Sequence, residues 1–136
     1  MPAGVAAVQV RWLEGLRFDG GASGRPAILV DGDSVAATSP VELLLLAAAT
    51  CSAADVVSIL EKQRVVLKSL QVAMQGTRRE EHPRRFTALR FAFTIAGAGL
   101  DETQARHAID LSLEKYCSVM ASLAPDIRVT YDVTLR

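Results

Sequence analysis

The stretch from Ser39 to Arg64 constrains this chain more than any other. It opens Ser39-Pro40-Val41-Glu42. Serine is a preferred N-cap, proline suits the first helical position, and a glutamate three residues after the serine completes a capping box. Leu43 to Ala49 follows, apolar on every side, with Cys51 midway along the stretch. A helix apolar all round is normally buried rather than amphipathic. Only past Leu60 does the pattern turn polar, with Glu61, Lys62, Gln63 and Arg64 as an exposed last turn. Alanines 47, 48, 49, 53 and 54 surround the cysteine, so another backbone can approach closely.

The rest of the chain reads as strands and one further helix. Val5 to Leu13 sets Val8, Val10 and Trp12 against Gln9 and Arg11, the alternation of a half-buried strand. Glu14-Gly15 is a tight turn into a short returning strand, Leu16-Arg17-Phe18. Ala27 to Val30 makes a third strand, ended by Asp31-Gly32-Asp33. After the long helix, Val65 to Gln75 and Phe86 to Ala96 alternate as a strand pair. The charged tip between them, Arg78 to Arg85, mixes its signs and makes a poor anion site. Asp101 to Tyr116 has helical spacing, with Asp101 and Glu102 suited to its first turn. Cys117 follows at once, then a short helical turn stopped by Pro125 and a last strand, Ile127 to Leu135. The order predicts one α+β domain over residues 1–136 with mostly antiparallel pairing.

The chain has 136 residues, half of them hydrophobic, with a formal net charge of zero. That balance gives no reason to expect nucleic acid or a membrane surface as partner. The longest unbroken apolar run, Leu43 to Ala49, is far shorter than the roughly 18 residues that span a bilayer. The N-terminus has no basic region followed by an apolar one, so a cytoplasmic protein without a leader is expected. The central helix is more hydrophobic than a lone small sheet can cover. A second copy packed helix to helix would cover it, so an extensive homodimer is expected.

Two cysteines, Cys51 and Cys117, are the chemistry-bearing residues, and with only two histidines no usual zinc site can be built; no cofactor is expected. A buried free cysteine ordinarily behaves as a small hydrophobe. Two of them on the two principal helices can instead form an attacking thiolate and a resolving thiol. A bond between them would close a long loop, worth about 4 kcal/mol of loop entropy. Activation of Cys51 needs a cation from elsewhere in the fold, because mid-helix offers no dipole and Asp55 would oppose it. Arg25, between Gly24 and Pro26, is the candidate and Arg17 the runner-up. Glu42 already serves the capping box; along a straight helix it stands about 13 Å from Cys51, so it would have to act across helices or across a dimer. His82 and His107 have no readable partner for a Cys-His hydrolase.

Ser39 to Cys51, running on to Leu60, resembles the first cysteine motif of the OsmC/Ohr family, the osmotically inducible and organic-hydroperoxide-resistance proteins. Leu111 to Val119 resembles the second. The resemblance implies an intertwined α+β homodimer with active sites at the interface. It also implies thiol-dependent reduction of organic hydroperoxides, with Cys51 peroxidatic, Cys117 resolving and an external dithiol as reductant. An arginine and a glutamate assist the thiolate in the hydroperoxide branch. Arg25 loosely matches the first; the glutamate position falls on Val41, with Glu42 one place on. The alternative is a non-catalytic dimer that binds a small apolar molecule, its cysteines serving as packing.

Overall fold

The computed structural model describes residues 4–136. The chain divides into two units, Met1–Leu44 and Leu45–Arg136.

The first unit is a three-stranded antiparallel sheet of β1 (Gln9–Glu14), β2 (Arg17–Gly21) and β3 (Ile28–Asp31), in that order. Gly15, at φ +53°, makes the left-handed step that turns β1 into β2. The turn is closed by Trp12, whose indole Nε1 donates to the Gly15 carbonyl at 2.9 Å. Arg11 and Asp19 face each other in register and pair at 2.8 Å. The alternation of β1 led to an expectation of a half-buried strand. Instead every residue of β1 is exposed, Trp12 at 65 %. Alternation identifies an apolar face without supplying the layer that covers it.

Asp31 organises the loop that follows β3. It is buried, and its carboxylate accepts from the backbone N–H groups of Asp33, Val35 and Ala36. Those amides, Ala36 foremost, hold its carboxyl below the usual range, and Arg17 Nε stands 3.8 Å away.

Helix α1 runs Pro40–Lys62. Its start is the expected capping box: the Glu42 amide donates to Ser39 Oγ at 3.2 Å, and Glu42 Oε1 accepts from the Ser39 amide at 3.0 Å. Glu42 Oε1 also accepts from Ser34 Oγ, which leads the causes of its lowered pKa. The helix ends on Arg64 at φ +64°, a left-handed residue, with the Val65 amide reaching back to the Leu60 carbonyl at 3.0 Å. Two expectations for α1 need correction. It is not buried all round: Ala48, Ala49, Ser52, Val56 and Leu60 are buried, while Leu46 is 51 % exposed. Nor is it too short to span a bilayer, since by length and mean hydropathy, 2.1, it qualifies. The unbroken run Leu43 to Ala49 understated it, because Thr50, Cys51 and Ser52 barely lower the average. Its buried Ser52 and half-buried Asp55 are hydrogen-bonded to Ser112, beyond the end of the next helix in the chain.

In the second unit, β4 (Val66–Arg78), β5 (Phe86–Ala98) and β6 (Arg128–Leu135) form a sheet with β5 central. β4 and β5 are antiparallel; β5 and β6 are parallel. The parallel pair follows from the crossover between them, through α2 (Glu102–Leu111), a π-helical turn (Ser112–Tyr116) and α3 (Ser118–Ala121). Leu89, Phe91, Phe93 and Ile95 share the buried face of β5. With Val56 and Leu60 of α1 and Ala105, Ala108 and Ile109 of α2 they make the core. Each large side chain there contributes about 1.5–3 kcal/mol by burial. Gly76 on β4 lets the Phe86 ring lie against its backbone; a Cβ there would stand 2.4 Å from Phe86 Cε1.

Replacing Arg64 by Gly should stabilise the protein by about 0.5–1 kcal/mol, because glycine adopts the left-handed conformation without steric cost. Urea denaturation measures it; no gain would show that the Arg64 side chain compensates. Asp31 sets an acid limb. Its folded pKa lies below its unfolded value, so its contribution is complete above the ordinary carboxylate range. It is lost as pH falls through the lowered folded value. Asp31→Asn should therefore flatten the stability profile below about pH 4, read from denaturant midpoints against pH.

Candidate functional site

The site is built where the middle of α1 meets the end of α2. Alpha-helical periodicity places Cys51 half-buried and its neighbour Ser52 fully buried. α2 is well begun: Asp101 accepts from the Gln104 amide at 2.7 Å, and the Gln104 side chain returns a bond to the Asp101 amide at 3.1 Å. It ends in the π-helical turn, in which the Cys117 amide donates to the Ser112 carbonyl five residues back, at 2.8 Å. Cys117 itself is extended, at φ −72° and ψ 102°, so the helix breaks there before α3 begins. This leaves the Cys117 side chain only 3 % exposed.

The two cysteines are free, and Cys51 is near enough to contribute to the raised pKa of Cys117. The Cys117 thiol is pushed up to about 11. Burial is the main cause; the amides of Met120 and Val119 pull the other way, and Cys51 adds to the rise. A shallow cleft of about 190 Å³ opens on Cys117, walled by Leu113, Met120, Leu123, Ile127 and Val129. Glu114 and Lys115 also line it, so its wall mixes apolar and charged side chains.

Behind the sulfurs lies a polar cluster. Ser112 Oγ is 3.0 Å from Ser52 Oγ and 2.9 Å from Asp55 Oδ2. Asp55, expected to bear on Cys51, is thus tied to Ser112; it also lines a cleft of about 480 Å³ with Ser58, Lys62 and Tyr116. Sequence reasoning passed over this cluster. Its signal was two polar residues, Ser52 and Asp55, three apart on a helix otherwise apolar at that level. Among the described residues no three His, Cys, Asp or Glu side chains group as a metal site.

The remaining candidates lie in the first unit. Arg25 sits in the bend before β3, its amide bonded to the Ala22 carbonyl at 3.2 Å, and lines a groove of about 330 Å³ with Asp19. It forms no ion pair among the described residues. Arg17 is engaged by Glu14 at 3.3 Å and stands beside Asp31. Glu42 is held by Ser34 and Ser39.

The comparisons with known proteins agree on one family. A family profile described as OsmC-like protein matches residues 31–132. Protein YhfA of Escherichia coli K12 is 44 % identical over 124 residues, 90 % of this chain and 92 % of that protein. The OsmC-like protein of Mycoplasma pneumoniae superposes with a TM-score of 0.84 at 15 % identity, over 98 % of this chain and 99 % of that one. An organic hydroperoxide resistance protein OsmC of Legionella pneumophila gives 0.68 at 14 % identity, over 98 % and 99 %. At those identities the two structures speak for the fold, which is that of OsmC and Ohr proteins.

The raised Cys117 thiol yields a prediction. Iodoacetamide at about pH 8.5, where an ordinary thiol is half ionised, should label Cys51 first and leave Cys117 unlabelled until the protein is unfolded. Peptide mass spectrometry reads the order. Because folding favours the neutral thiol, stability should also fall as pH rises from the ordinary thiol range toward about 11, and Cys117→Ala should remove that slope. Equal labelling of both residues would contradict the burial assigned to Cys117.

Proposed function

The chain belongs to the OsmC-like protein family, and from that premise we propose that it is a dithiol hydroperoxide reductase acting on organic hydroperoxides. The observation that carries the reading is the meeting of a half-buried Cys51 with a buried, protonated Cys117 beside a cleft walled in part by apolar side chains. Family membership supports a role in hydroperoxide resistance, as borne by relatives of the same fold.

In this reading the Cys51 thiolate attacks the distal peroxide oxygen. The O–O bond breaks, the alcohol leaves with a proton, and Cys51 becomes a sulfenic acid. The Cys117 thiol then condenses with it. The S–S bond forms, and the sulfenic oxygen leaves as water carrying the thiol proton. An external dithiol restores both thiols by two exchanges and is itself oxidised to a disulfide. Arg25 is proposed as the cation for the Cys51 thiolate, and Glu42 as the carboxylate that orients it. A homodimer belongs to the same proposal. Its support is apolar surface that a single chain leaves open: Val8 just before β1, Val10 and Trp12 on β1, and Leu44 and Leu46 on α1. The proposed compartment is the cytoplasm, where two free cysteines are kept reduced.

Purified reduced protein treated with cumene hydroperoxide should lose two thiols per peroxide consumed. Cys51→Ser should lower turnover by at least about a thousandfold, as loss of a nucleophile does. Cys117→Ser should still react once and leave a sulfenic acid that dimedone traps. Survival of both thiols in excess peroxide would defeat the reading and favour the non-catalytic apolar binder, for which the cleft beside Cys117 is the site. Sedimentation velocity should report twice the chain mass.

A further inference from the structure

Ser112 is the single fully buried residue of the π-helical turn. Its two polar ends serve different elements. The hydroxyl faces α1, 3.0 Å from Ser52 Oγ and 2.9 Å from Asp55 Oδ2. The carbonyl accepts the Cys117 amide at 2.8 Å. A carboxylate oxygen accepts and a serine hydroxyl has one proton, so Ser112 donates to Asp55 and Ser52 donates to Ser112. The residue next to Cys51 and the amide of Cys117 are therefore joined through one residue, by its hydroxyl on one side and its carbonyl on the other.

We propose that Ser112, anchored by Asp55 and Ser52, is the positioning residue that holds Cys117 in line for closure onto Cys51. Three observations converge on it. The bonds run between the two backbone stretches that carry the sulfurs. Ser52 and Ser112 are both wholly buried, so water does not compete for the bond between them and it keeps its strength. The turn they hold is a π-helical one, wider than an α-helix, and if it tightened it would rotate Cys117 about the axis and away from Cys51. Disulfide geometry tolerates little such error. No proton or electron passes through Ser112. In closure the sulfenic oxygen leaves as water with the Cys117 proton, and Ser112 only keeps the thiol on that path.

The inference rests on the dithiol reading, but the geometry can be tested without peroxide. In a buffer of reduced and oxidised glutathione, the Cys51–Cys117 pair forms by exchange. Two protein thiols become a disulfide while one oxidised glutathione becomes two reduced ones. Gel-shift counting of thiols gives the effective concentration of the pair. Ser112→Ala and Asp55→Ala should each lower it about tenfold, a small misalignment being enough for that. Asp55→Asn, which keeps an acceptor and removes the charge, should stay within about twofold of the unmodified protein. With cumene hydroperoxide, Ser112→Ala should form dimedone-reactive sulfenic acid at the unmodified rate and close about tenfold more slowly. Circular dichroism confirms that each variant is folded. An unchanged effective concentration in folded Ser112→Ala or Asp55→Ala overturns the proposal. So does loss of the fold in both, which would reduce the cluster to a structural one. If the unmodified pair closes in glutathione but ignores peroxide, the peroxidase reading falls and the positioning role stands.

Discussion

The second unit depends on one buried junction, where α1 and the end of α2 meet through Ser52, Asp55 and Ser112 with two sulfurs alongside. Polar groups in a core are costly unless satisfied. Here they are satisfied: among the described residues no buried side-chain nitrogen or oxygen lacks a partner. Such a junction is more selective than an apolar contact, since a slipped helix would strand a hydroxyl or a carboxylate rather than merely exchange one methyl for another. That fixes which faces of the helices meet, and with it which sulfur stands beside which.

Much of the fold could be read from the residues. The capping box of α1 and the alternation in β4 and β5 are local signals, and each appears where its pattern falls. Helical spacing continues through Tyr116, whereas the α-helix proper stops at Leu111 and widens. No local signal marks a π-helical turn, and its first residue, Ser112, bonds to α1, a contact distant in sequence. The parallel pairing of β6 was equally hidden. Alternation is the same for either strand direction, and only the crossover through α2 decides it. The exposure of β1 and of Leu46 has a common cause: apolar patterning states what a segment needs covered, and one chain's fold does not cover everything.

The candidate site divides in the same way. Cysteines are rare enough that two of them, one on α1 and one just past the turn that ends α2, stand out at once. Their adjacency is a tertiary fact that spacing could not give. The cluster of Ser52, Asp55 and Ser112 is harder to read: Ser52 and Asp55 lie three apart on α1, but serine and aspartate on a helix are ordinarily solvated, and nothing local to Ser112 marks it as their partner. Glu42 shows the converse: its capping role was readable from three residues of spacing, and Ser34 reinforces it through a loop shaped by Asp31.

The unequal settings of the two thiols bear on the order of steps in the proposed reaction. A buried thiol raised to about 11 stays protonated at neutral pH and does not compete for the oxidant. Burial is the main cause of that rise, and it persists when Cys51 is oxidised. Cys117 therefore stays a protonated thiol through the first step. Access sets the order in this reading: the half-buried sulfur meets the peroxide, and the buried one reacts only after it, from inside the protein.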